Sequence, residues 1–135
     1  MAGLVSVGLI VGRVALASLF LLAGLNKVMN YEATLAAMTE AGLAPAGALL
    51  PAVIVLEIGG GALVAVGRRF AALAALALAL FTLATNIVFH DYWTMTGAMR
   101  ATEQSLFFKN VSIAGGLVFL AAHFGSRSDR RRFAR

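Results

Sequence analysis

Four runs of apolar residues, 4–25, 49–66, 70–89 and 106–124, each approach the length a helix needs to cross a bilayer. A hydrocarbon core of roughly 30 Å takes about 20 residues at 1.5 Å each. Inside it the backbone must satisfy its own hydrogen bonds, which leaves helices as the spanning element for runs of this kind. The expectation is an all-α, polytopic membrane four-helix bundle. The chain of 135 residues is 61% hydrophobic and 13% charged, against roughly 45–50% apolar in soluble domains. The fourth run is the tightest. Its uninterrupted part, 111–124, reaches about 21 Å, so the span must draw Lys109 and Asn110 into the outer bilayer. The first run has no basic leader, is interrupted by Arg13 and is followed by no small-residue cleavage site. It therefore reads as a span and not as a cleaved signal.

Arginine placement predicts the orientation. Arg68 and Arg69 in the second-to-third turn and Arg127, Arg130, Arg131, Arg132 and Arg135 in the tail put seven positive charges on one side. Lys27, Arg100 and Lys109 lie on the other. The positive-inside rule then predicts that both termini are cytoplasmic. The net charge of +5 owes much to the basic cytoplasmic tail, 127–135. After a membrane span such a tail implies anionic lipid and not nucleic acid. Tyr31, Tyr92 and Trp93 fall at the outer interface, where amphipathic rings settle. Cysteine is absent, which excludes disulfides and thiolate-held metals or clusters.

Residues 30–41 are expected to form a short interfacial helix after the first span, with Tyr31, Leu35 and Met38 on one face and Gly42 and Pro45 ending it. Residues 91–104 are polar and show no firm period. Small residues mark close helix contacts: Gly8 with Gly12, the run Gly59 to Gly61, Ala71 with Ala75 and Ala79, and Ser112 with Gly116.

Two opposite charges, Arg13 and Glu57, lie within the apolar runs. An unpaired ion there costs roughly 2.5–3.5 kcal/mol on insertion scales. Arg13, Ala17, Phe20, Gly24 and Lys27 share one face of the first helix. Lys27 sits at the outer end with Arg13 about 21 Å below it, and on the second helix Glu57 lies about 12 Å in from residue 49. An arginine reaching along its stripe would meet it, so Arg13–Glu57 is the expected structural ion pair. Lys27, Asn86, His90, Lys109, Asn110 and Ser112 fall in the outer half of the bundle and are the candidate ligand-binding residues, with His90 the candidate catalytic group. Plainer roles exist for each: snorkelling for the lysines, interhelical hydrogen bonding for the asparagines, an interfacial position for His90. His90 and His123 lie at opposite ends, so no metal or haem site is expected.

The stretches GRVALASLFLLAGLNK, LEIGGGALVAVGRR, TNIVFH and FFKNVSIAGGL, in this order, resemble the DoxX family, which includes YqjF-like inner-membrane proteins and the DoxD subunit. The resemblance covers the chain to about residue 124 and implies a four-helix transmembrane domain over 1–126. It points to Arg13, Lys27, Glu57, His90, Lys109 and Asn110 as the recurrent polar positions. Some relatives are associated with quinone-coupled thiosulfate oxidation and others with oxidative-stress complexes that contain soluble redox partners.

The resemblance implies a quinone-handling redox subunit with no intrinsic cofactor, an oxidoreductase component if it is an enzyme at all. A quinone needs an apolar cavity reached from lipid and a few fixed donors. The competing reading is a non-catalytic scaffold that recruits a soluble redox enzyme, with a filled interior. A small-solute transporter is a third, disfavoured by the lack of an inverted repeat. The expected partners are the lipid bilayer and a soluble redox enzyme, with a homo-oligomer left open.

Overall fold

The computed structural model describes residues 2–133, with side chains over residues 3–126. It contains α1 (Ala2–Met29), α2 (Tyr31–Glu40), α3 (Ala46–Val66), α4 (Ala71–Phe89) and α5 (Gly97–Phe133), with a 3-10 turn at Tyr92–Thr94 before the last. All but α2 are long and apolar enough to cross a membrane. There is no strand among the described residues. The all-α polytopic bundle expected from the apolar runs is the architecture observed.

The long helices pack in sequence, α1 along α3, α3 along α4 and α4 along α5, with a looser seam between α1 and α5. The core is built from Ala17, Phe20, Val64, Leu78 and Leu117, with a row of buried alanines on α4. Small residues set the approach distances. A side chain at Gly60 would press on Leu78, one at Gly61 on Leu21 and the Ala17 carbonyl, and one at Gly116 on Leu16. Gly8 and Gly12 face open space instead, so this pair makes no close contact with another described helix residue.

The reason is that the helices are not flush. Gly24 lies against Glu57 and Ile58, and Arg13 against Gly67. From the Gly24–Glu57 level α1 continues for only five residues, to Met29, whereas α3 continues for eleven, to Ala46. At 1.5 Å per residue α1 stops about 10 Å short of α3 at that end. At the other end it runs about 16 Å past the turn joining α3 to α4, with Leu4, Val5, Val7 and Val11 exposed. The short end is covered by α2, whose Met38 is buried with Ala46 and Leu50 and flanked by Tyr31 and Leu35. The face expected for the interfacial helix is the one that packs.

The fourth span begins earlier than its apolar run suggests. Helix α5 starts at Gly97, and its candidate span, Gly97–Ser126, takes in Lys109 and Asn110 as expected. The backbone stays helical through Phe133, while the side chains of the 127–135 tail lie outside the described residues.

The α3–α4 turn is tight. Gly67 ends α3 in the left-handed conformation, φ 64°, its N–H donating to the Leu63 carbonyl at 3.0 Å. Phe70 is also left-handed at φ 68°, beneath the Arg69 guanidinium at 4.9 Å. A Cβ at Gly67 would both strain this backbone and overlap the Arg13 guanidinium. Gly67→Ala is therefore expected to destabilise the protein by more than Gly42→Ala. Gly42 has φ 76° but open space around it, so it carries only the backbone cost of roughly 1–2 kcal/mol. Thermal unfolding of both variants in detergent measures the difference.

Candidate functional site

The offset of α1 leaves a cavity of about 360 Å³ beneath α2. Leu19, Phe20, Ala23 and Lys27 of α1 line it, with Thr34, Ala37 and Met38 of α2, Leu43 of the following loop, and Val53 and Glu57 of α3. Phe81, Thr82, Thr85, Phe89 and His90 come from the α4 side and Asn110 from α5. The walls are mostly apolar and include three phenylalanines. Leu19 and Phe89 are also exposed on the outer surface, so the cavity is not sealed from the surroundings.

Lys27 Nζ donates to Glu57 Oε1 at 2.9 Å. The lysine side chain is 24% exposed and the carboxylate 4%, which makes this the buried ion pair of the bundle. The expected Arg13–Glu57 pair is not formed. That expectation assumed flush spans; the offset of α1 carries Lys27 down to the level of Glu57 and Arg13 to the far end, beside Gly67. Glu57 Oε2 is buried without a hydrogen bond. The lysine retains two further N–H donors beyond the one used.

On the opposite wall Asn86 is fully buried. Its Nδ2 donates to the Phe107 carbonyl at 2.9 Å and its Oδ1 accepts from Asn110 Nδ2 at 2.9 Å. This bond orients the Asn110 amide at the cavity edge. His90 caps the end of α4, and its Nδ1 lies 2.7 Å from Glu103 Oε2. A carboxylate on Nδ1 favours the tautomer with the proton on that nitrogen. The other ring nitrogen is then free to accept, or, in the charged ring, to donate.

Of the six candidate ligand-binding residues, Lys27, His90 and Asn110 line the cavity and Asn86 supports Asn110 from behind. Lys109 and Ser112 are on the exposed face of α5, and the Ser112 hydroxyl donates back to the Phe108 carbonyl at 3.0 Å. The bundle-facing stripe of α5 runs through Asn110, Ala114, Leu117, Ala121 and Phe124, one position round from Lys109.

Glu103 was missed by sequence reasoning, as were Thr34, Thr82 and Thr85. Glu103 lies seven residues before Asn110 and fourteen before Leu117. Extending the α5 stripe backward through the polar segment would have found it. Two of the threonines were also legible, since Thr34 lies between Tyr31 and Met38 on the packing face of α2 and Thr82 continues the Ala75–Ala79 stripe toward Asn86. Thr82 Oγ1 donates to the Leu78 carbonyl of its own helix, the ordinary behaviour of a threonine in an apolar helix.

Four membrane-crossing helices around a chamber with an ion pair at its wall define a multi-pass integral membrane protein with an interior cavity. The chain belongs to the DoxX family, whose model matches residues 8–91. It is 34% identical to the inner membrane protein YphA of Escherichia coli (strain K12) over 114 residues, 84% of this chain and 80% of that one. It is 36% identical to the inner membrane protein YqjF of the same strain over 121 residues, 90% and 87% of the two chains. No solved structure gives a significant match. The protein is a multi-pass protein of the bacterial inner membrane.

Proposed function

We propose that the protein binds the ring of a quinone in the α2-covered cavity and serves as the membrane subunit of a redox system whose electrons come from a partner protein. The observation that carries this reading is the chamber itself. At about 360 Å³ it falls within the roughly 300–1,000 Å³ typical of small-molecule sites. Phe20, Phe81 and Phe89 offer apolar surface to a flat ring. Lys27 and Asn110 offer donors to its carbonyl oxygens, each with an N–H left after its internal bond, and His90 presents its second ring nitrogen beside them. A scaffold with a filled interior would have no use for such a space.

Reduction of a quinone to a quinol takes two electrons and two protons. The electrons are assigned to the partner. Of the two protons, His90 is suited to pass one through its second ring nitrogen, with Glu103 holding the ring in place, and the other is drawn from water. Lys27, held by Glu57, is suited to stabilise negative charge developing on a carbonyl oxygen.

The test is mass spectrometry of small molecules retained after mild detergent extraction. Quinone is expected with the parent protein and with Lys109→Ala, and is expected to be lost when Ala23→Phe fills the chamber. A parent preparation that neither retains quinone nor takes up a short-chain analogue on titration would refute the reading.

A further inference from the structure

The other end of the bundle holds a cation with no counter-ion among the described residues. Arg13 lies against Gly67 at the end of α3, half-buried, and its Nε is buried with no hydrogen-bond partner. The guanidinium forms no ion pair with any described residue. Gly67 is followed directly by Arg68 and Arg69, both exposed. The carboxylates Glu32, Glu40, Asp91 and Glu103 belong to the α2 end, and Glu57 is held by Lys27. Asp129 lies beyond the described side chains.

The geometry around this cation is a notch. Helix α1 continues about 16 Å past the α3–α4 turn, and Leu9, one turn before Arg13 on the same face, is half-buried there. An arginine fork matches the oxygens of a phosphate, and three arginines together favour an anion over any neutral group. Val14 and Leu22, exposed on α1 on the bundle side of Arg13, add a surface for acyl chains, which free phosphate would not use. We propose that Arg13, with Arg68 and Arg69, binds the phosphate of an anionic phospholipid headgroup in the notch where α1 passes the α3–α4 turn. The site is separate from the quinone chamber and does not depend on it.

The test uses the full chain in mild detergent, titrated with phosphatidylglycerol, phosphatidylethanolamine or inorganic phosphate. Native mass spectrometry reads bound lipid, and thermal unfolding reads protection. Phosphatidylglycerol is expected to give a one-to-one adduct and raise the melting temperature, with phosphatidylethanolamine and inorganic phosphate at least tenfold weaker. Arg13→Gln is expected to abolish the adduct, and Arg68→Gln/Arg69→Gln to weaken it about tenfold. The second variant alters only exposed side chains and keeps the test open should Arg13→Gln fail to fold. An adduct that survives both substitutions, or disappears only when the tail arginines are replaced, overturns the proposal. Protection by inorganic phosphate alone overturns the assignment to lipid.

Discussion

Replacing Glu57 by Gln, or Lys27 by Met, is expected to lower stability by about 3–5 kcal/mol, because each leaves its partner charged and unpaired inside the bundle. The Lys27→Met/Glu57→Leu double variant is expected to recover a large part of that loss. The lysine and carboxylate are 2.9 Å apart and the carboxylate is almost fully enclosed, so the single variants expose the desolvation cost that pairing offsets. Thermal or denaturant unfolding in detergent measures all three. Arg13→Met combined with Glu57→Gln supplies the contrast. The two sites lie at different levels of the bundle, so their effects are expected to add, within about 0.5 kcal/mol. Strong coupling of Glu57 to Arg13, and none to Lys27, would show that the offset of α1 is wrong.

Gly24→Val is expected to be nearly as damaging. A Cβ at Gly24 would stand 2.6 Å from Cγ1 of Ile58, 3.2 Å from Cβ of Glu57 and 3.3 Å from the Ile58 backbone nitrogen. The first atom can move but the backbone cannot, so α1 and α3 must separate. Overpacking of this kind costs about 1–3 kcal/mol, and here it also pulls Lys27, less than one turn away, from Glu57. Adding Ile58→Ala is expected to restore part of the stability. Gly59→Ala, which points into open space, is expected to be close to neutral. Equal losses at Gly24 and Gly59 would mean that the close approach of α1 and α3 is not formed.

The membrane-crossing helices were legible because their signal is length and composition, which the bilayer imposes one segment at a time. The short helix was legible from the common face of Tyr31, Leu35 and Met38. The ion pair was not, because pairing depends on how far one helix is displaced along another. Hydropathy does not encode that displacement. Gly24 and Gly61 set it by allowing contact at particular levels, but the sequence does not say which partner each glycine meets. Lys109 falls outside the site although it directly precedes Asn110. On a helix one step is a rotation of about 100°, enough to carry a side chain from the interior to the exterior. Glu103 was hidden by the polar character of its neighbours, which masks the continuation of α5 toward Gly97.

Helix α2 is joined to α1 through Asn30 alone and to α3 through residues 41–45. Its second link is also tied down, since the N–H groups of Ala41, Gly42 and Leu43 bond back to carbonyls of α2. The level at which α1 meets α3 therefore fixes the height of the roof over the chamber as well as the partner of Glu57.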